Sequence, residues 1–237
     1  MTVDKKYDIH GKAISDYFNN TQKGPLKIHN YYGEAEEMPL IHYFKDPEDF
    51  SSIEQEALLE STREKILDVG AAAGTHALFL QSKGYDITAL DASSHCCEVM
   101  RKRGVEKVIC ADFFYFHPTE KFDTILLLMN GIGFIEKLSN LEKFLERCDE
   151  LLTEDGIVLF DSSDISYLYD ETDLEPGKYF GEIDYRYEYN GEKGEWFKWL
   201  YLDLETLENI ASKKGWKIDV VEEDEETGQY LVKLEKQ

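Results

Sequence analysis

The stretch Ile66-Leu67-Asp68-Val69-Gly70-Ala71-Ala72-Ala73-Gly74-Thr75-His76 constrains the fold of this chain more than any other. A short apolar run ends in an acid, and small residues follow it. A helical pattern then starts, from Ala77 to Gln81, and Gly84 stops it. The pattern predicts a buried strand, a tight turn and a helix N-terminus. Such a turn lets the backbone approach a ligand closely, and the N–H groups at the helix start favour a negative group such as a carboxylate or phosphate. The stretch therefore predicts a binder of a nucleotide-type cofactor.

The offsets narrow the cofactor. A dinucleotide fingerprint, Gly-x-Gly-x-x-Gly, read from Gly70 meets Gly70, Ala72 and Thr75, so two of its three positions fail. The frame Asp-x-Gly-x-Gly-x-Gly meets Asp68, Gly70, Ala72 and Gly74 and fails only at Ala72. In this second frame the stretch resembles the first motif of the class I S-adenosylmethionine-dependent methyltransferases, with Ala72 in place of the family's glycine.

The following segments extend the resemblance over about residues 60 to 237. Tyr85 to Asp91 reads as a second strand ending in an acid, about 20 residues past the glycine turn, which suits the hydroxyl pair of a ribose. Val108 to Phe113 reads as a third strand ending in Asp112-Phe113. The resemblance implies that Asp112 accepts from the adenine amino group and that Phe113 packs on the ring. Phe122 to Gly131 reads as a fully buried fourth strand running into a loop, and Gly156 to Asp161 as a fifth. Trp216–Val221 and Gln229–Leu234 read as a closing antiparallel hairpin around Thr227-Gly228, a feature of the methyltransferase sheet that dehydrogenase sheets lack.

The expected fold is therefore α/β: a doubly wound, mostly parallel seven-stranded sheet with an antiparallel last strand. To it are added an N-terminal helical cover over residues 1–50 and a β-hairpin inserted at about 165–201, so that residues 51–237 form the cofactor-binding domain. The N-terminal segment is rich in aromatics, among them Tyr7, Tyr17, Phe18, Tyr31, Tyr32, Tyr43 and Phe44. Ser51 with Glu54, and Ser139 with Glu142, offer capping boxes for two helices. Tyr179–Tyr189 and Glu195–Tyr201, joined by Asn190-Gly191, approximate the two arms of a hairpin.

Charge and composition limit the partners. The chain carries 49 Asp plus Glu against 26 Lys plus Arg, a formal net charge of −23. Nucleic-acid binding depends on cations that neutralise phosphates, so this balance disfavours DNA or large RNA as acceptor. No apolar run approaches the ~18 residues of a membrane span, and the residues after Met1 lack the apolar core of a signal peptide. Cys96, Cys97, Cys110 and Cys148 show no Cys-x-x-Cys pair, which suits reduced thiols in a cytoplasmic protein. His10, His29, His95 and His117 show no metal-site spacing, so no metal is expected.

Methyl transfer from a sulfonium is an in-line displacement in which the cofactor supplies the electrophile and the protein positions the acceptor. The resemblance implies cofactor contacts from Asp68, Gly70, Ala72, Gly74, Asp91, Ala92, Asp112, Phe113 and Met129. Asn130 is expected nearest the transferred methyl, with Asp164 a second catalytic candidate. Relatives that methylate exocyclic base amines often carry Asn/Asp-Pro-Pro-Tyr/Phe here; Asn130-Gly131-Ile132-Gly133 does not match. Ser162, Ser163 and Asp164 are candidates to orient an acceptor or, equally, to cap a turn. His42, Tyr43, Tyr185, Trp196 and Trp199 are candidates to wall its pocket, or to pack the additions on the core. The additions are expected to cover the acceptor rather than the cofactor. The expected function is methyl transfer to a small-molecule acceptor, giving S-adenosylhomocysteine. A nicotinamide-dependent oxidoreductase or epimerase, a non-catalytic adenosyl-ligand module and a protein methyltransferase are the alternatives.

Overall fold

A computed structural model describes residues 8–61, 63–169, 177–224 and 227–237. Tyr7, the reading of the first six residues, and positions 170–176 of the inserted segment lie outside the described residues. In chain order the elements begin with α1 (Ile9–Phe18), β1 (Leu26–His29), β2 (Glu36–Met38), α2 (Ser52–Glu60), β3 (Lys65–Val69) and α3 (Thr75–Ser82). There follow β4 (Asp86–Asp91), α4 (Ser94–Arg103), β5 (Val108–Cys110), β6 (Phe122–Leu127), α5 (Leu141–Leu151) and β7 (Leu152–Ser163). The chain continues with β8 (Glu182–Tyr189), β9 (Glu192–Lys193), β10 (Phe197–Leu200), α6 (Leu204–Ala211), β11 (Trp216–Asp224) and β12 (Gln229–Lys236).

Seven strands form one sheet in the order β11-β12-β7-β6-β3-β4-β5. β3 pairs with β4, β4 with β5, and β6 with β7, all parallel. β12 pairs antiparallel with β7 and with β11, so the sheet closes as the last two strands predict. Its central strands carry runs of buried apolar residues, as strands covered on both faces do: Ile66, Leu67, Ile125, Leu126, Leu127, Val158, Leu159 and Phe160 are all buried.

A second sheet runs β10-β8-β1-β2, with β9 on β8. The inserted hairpin is present, turning at Asn190-Gly191, both at positive φ. It does not stand alone: β8 pairs antiparallel with β1, from Leu26↔Tyr189 to His29↔Arg186. Among its described residues the N-terminal segment thus adds two strands to the helical cover, which consists of α1 and two 3₁₀ turns, Leu40–Phe44 and Pro47–Asp49. The alternation Leu26-Lys27-Ile28-His29 carried that signal but is too short to be separated from a loop.

Helix boundaries follow local chemistry. Ser51 and Glu54 form the expected capping box at α2, with bonds of 3.2 and 2.8 Å. Asp203 caps α6 through the Thr206 amide. The box expected from Ser139 is not made. The chain enters α5 through a 3₁₀ turn over Leu138–Asn140, which places Ser139 inside a helical turn and leaves Asn140 at the cap position with its Nδ2 donating back to the Ile135 carbonyl instead of its side chain capping α5.

Tertiary contacts divide the chain into two units. The described parts of 1–50, 64–117 and 184–197 form the first. Those of 51–63, 118–183 and 198–237 form the second.

Candidate active site

In the first unit, β3, β4 and β5 run parallel and bring their carboxyl ends together, with Asp91 opposite Cys110 in the ladder. Asp68, Asp91 and Asp112 mark the three strand ends. Between Asp68 and α3 the backbone alternates: Gly70, Ala72 and Gly74 have φ of 74°, 49° and 79°. All three are left-handed, which is why the motif asks for glycine at every second position. Ala72 is the position where a side chain is forced into that region, at a cost of roughly 1–2 kcal/mol. Gly74 is also required by packing, because a Cβ there would lie 2.9 Å from Met100 Cγ and Val105 Cγ2, whereas the space around Gly70 is open.

Asp91 organises this turn. Its Oδ2 accepts from the Ala72 amide at 2.9 Å and its Oδ1 from the Ser93 amide at 2.7 Å. Burial pushes its carboxyl up to about 7; these two amides pull it down, and the negative charges of Asp8 and Asp68 push it further up. Asp68 is buried, its Oδ2 has no hydrogen-bond partner among the described residues, and burial pushes it up to about 6 against the pull of His76. Half-buried Ala92 follows Asp91. Asp112 Oδ1 accepts from the Phe114 amide, and Phe113 is buried beside it.

The N-terminal segment packs on this turn. Ile9, Ala13 and Ile14 of α1 share one core cluster with Ala73 and Cys96, and Ala72 and Tyr43 pack against it. The Thr75 hydroxyl donates to the Tyr43 carbonyl at 2.5 Å. The small side chains of the turn let a helix pack close against it. Tyr43 is therefore joined to the cofactor turn, while His42 is exposed.

In the second unit, the loop that follows β6 carries Met129 and Asn130, both left-handed with φ of 62° and 55°. Two consecutive non-glycine residues in this region mark a strained loop of the kind found at functional sites. The Asn130 amide donates to Asp161 Oδ2 at 2.7 Å, and Gln229 Nε2 donates to the same oxygen at 2.7 Å. The Ser163 hydroxyl donates to Asn130 Oδ1 at 3.0 Å. Trp199 lies flat against this loop: a Cβ on Gly133 would come within 2.0 Å of its Nε1.

The structure thus joins Asn130 with Ser163 and sets Trp199 beside them. Ser162 and Asp164 make hydrogen bonds within the fold. Ser162 is fully buried and its Oγ accepts from the Leu202 amide at 2.9 Å. Asp164 Oδ1 accepts from the Ser166 amide at 2.8 Å, closing a turn. Strand alternation explains the split, since Ser162 faces away from Asp161 and Ser163. Elsewhere, in the first unit, Trp196 stacks on Tyr31 at 4.2 Å under the Arg186 guanidinium, and Tyr185 lies 6.3 Å from Phe197. Asp8, Ser93, Asp161 and Gln229 are not candidates from the sequence. Ser93 and Asp8 precede helices and carried an N-cap signal; for Gln229, 68 residues from Asp161, no local signal exists. Among the described residues no group of three His, Cys, Asp or Glu is placed to hold a metal ion, and no helix is long and apolar enough to cross a membrane.

A parallel sheet closed by an antiparallel strand, with acids at three successive strand ends and a left-handed Gly-x-Ala-x-Gly turn, is the architecture of an adenosyl-cofactor-dependent transferase. Comparison with known proteins agrees. A methyltransferase-domain family model matches residues 39–221. A crystal structure of an S-adenosylmethionine-dependent methyltransferase from Bacteroides fragilis, in complex with S-adenosyl-L-homocysteine, is 35% identical; the match covers 100% of this chain and 98% of that one, with a TM-score of 0.90. A protein of Geobacillus sp. (strain WCH70) named as a methyltransferase is 28% identical over 102 residues. A glycine/sarcosine N-methyltransferase of Aphanothece halophytica is 24% identical over 132 residues. These two matches span 41% of this chain and 41% of the first relative, and 51% and 50% for the second. The chain belongs to the class I S-adenosylmethionine-dependent methyltransferases.

Proposed function

We propose that the enzyme transfers the methyl group of S-adenosylmethionine to a small organic acceptor, releasing S-adenosylhomocysteine. The observation that carries this reading is the cradle of Asp68, the 70–74 turn and Asp91. An orphaned buried carboxylate oxygen and a backbone held open by three left-handed residues suit a ligand that brings hydrogen-bond donors. When bound, the cofactor supplies an electrophilic methyl on a sulfonium. The chain's residues would bind and orient it: Asp91 would accept from the ribose hydroxyls, Asp112 from the adenine amine, and Phe113 would pack on the ring. In the second unit, Met129 is the residue proposed to touch the cofactor, and Asn130, held by Ser163 and Asp161, is the one proposed to orient the acceptor. The net charge of −23 supports a small molecule over nucleic acid, and the four unpaired thiols suit a reducing cytoplasm.

The test is a screen of metabolite fractions with methyl-labelled S-adenosylmethionine. The reading requires S-adenosylhomocysteine and a labelled small product in equal amounts. Label appearing only in protein or nucleic acid contradicts it.

Two expected results follow from the geometry. Trp199→Ala lowers turnover per folded protein roughly tenfold and leaves S-adenosylhomocysteine affinity within about twofold, because the loop of Asn130 loses its wall. Turnover that falls only in proportion to folded protein assigns Trp199 to packing. The second concerns pH. Asp68 and Asp91 titrate above the ~3.9 of an unfolded aspartate, so their contribution to stability is full below about pH 4 and is lost as pH rises through about 6 and about 7. Ionised Asp91 is the form that accepts from a ribose. The gain in melting temperature on saturation with S-adenosylhomocysteine is therefore larger at about pH 8 than at about pH 5.5. An equal gain at both contradicts the assignment of Asp91.

A further inference from the structure

Two helix N-caps meet beside the cradle. Asp8 caps α1, with Oδ1 accepting from the Gly11 amide at 2.8 Å. Ser93 caps α4, with Oγ accepting from the Cys96 amide at 3.0 Å. The Ser93 hydroxyl donates to Asp8 Oδ2 at 2.5 Å, while the Ser93 amide donates to Asp91 Oδ1. Asp91 in turn holds the Ala72 amide. One unbroken chain of hydrogen bonds thus runs Asp8–Ser93–Asp91–Ala72, from the first turn of α1 to the cofactor turn. Asp8 and Ser93 are both buried, at 6% and 7% exposure, so water does not substitute for these bonds. There is no slack: a Cβ on Gly11 would sit 2.2 Å from Ser93 Oγ. Asp8, outside the matched family model, lies 85 residues from Ser93.

We propose that α1 is part of the cofactor site: Asp8, acting through Ser93, positions the Asp91 carboxylate, so that docking of α1 and binding of the adenosyl cofactor stabilise each other. The proposal rests on the reading of Asp91 as the ribose acid. Asp8 and Ser93 are positioning residues in this account. A group that only caps a helix is replaceable by asparagine, which caps as well as aspartate. A group that also sets the charge beside Asp91 is not. The groups that face Asp91 are Asp8 from α1, Asp68 from β3, Cys96 and Cys97 from α4, and Tyr43; Asp8 and Asp68 are the carboxylates among them. Coupling follows from linkage: a helix that binds the ordered turn better than the disordered one is itself held more firmly once ligand orders the turn.

The experiment is calorimetric titration of S-adenosylhomocysteine into the full chain and into Asp8→Asn and Ser93→Ala, over a range of pH. Amide exchange of residues 9–18 is followed in the parent with and without the ligand. Affinity in the parent is expected to rise with a midpoint near 7. Asp8→Asn is expected to move that midpoint to lower pH, because a negative neighbour is removed, and Ser93→Ala to weaken binding roughly tenfold. Ligand is expected to slow exchange in α1. Parental affinity and midpoint in Asp8→Asn, or exchange in α1 that is indifferent to ligand, overturns the proposal and leaves the site intact. A parent that does not bind S-adenosylhomocysteine overturns the site reading, and this inference with it. The exchange measurement needs no variant, so a poorly folded mutant does not blunt the test.

Discussion

Leucine at position 72 abolishes binding of S-adenosylhomocysteine, whereas glycine there keeps it within a few-fold. Ala72 is left-handed, at a φ of 49°, and its amide is bound by Asp91. Leucine would have to hold that conformation with a branched side chain where the backbone must admit a ligand, so both the turn and the space are lost. Glycine removes the left-handed cost of roughly 1–2 kcal/mol and adds about 0.5–1 kcal/mol of chain entropy, so Ala72→Gly is near neutral or slightly stabilising. Titration and thermal melting of the three proteins check this. Equal affinity in parent and Ala72→Leu would separate the turn from the ligand.

Asp91→Ala costs about 1.5–3 kcal/mol of cofactor affinity, ten- to a hundredfold, through loss of charge-assisted bonds to the ribose. Alanine also orphans the Ala72 and Ser93 amides, so part of the loss is disorder of the turn. Asp91→Asn separates the contributions. It keeps one oxygen for an amide and removes the charge, so its melting temperature stays nearer the parent while its affinity falls. A variant that binds as tightly as the parent would displace Asp91 from the ribose.

The extent to which the sequence exposed this site has a physical cause. Asp68, Gly70, Ala72, Gly74 and Asp91 follow one another along a strand, a turn and a strand, and the chemistry of a close backbone approach is written in small residues at fixed spacing. The hairpin at Asn190-Gly191 was legible for the same reason, since two left-handed residues in a row admit few side chains. The partnerships were not. Asp8 meets Ser93, Gln229 meets Asp161 and β8 meets β1 across 85, 68 and about 160 residues, where no local pattern carries the pairing. Ser162 and Ser163 show the same limit at the shortest range. Both suit an acceptor by residue type, and only the strand's alternation assigns one to the core and the other to Asn130. Left-handed Met129 has no sequence signal, because methionine is not a residue that favours that region.

The central claim is that the turn between β3 and α3, with the acid ending β4, takes an adenosyl-sulfur cofactor and not a dinucleotide. Calorimetric titration of the full chain with S-adenosylmethionine, S-adenosylhomocysteine and NAD tests it most directly. Saturable binding of the first two, and no heat of binding with NAD, is the predicted result. Binding of NAD, or of neither S-adenosylmethionine nor its product, would contradict the account.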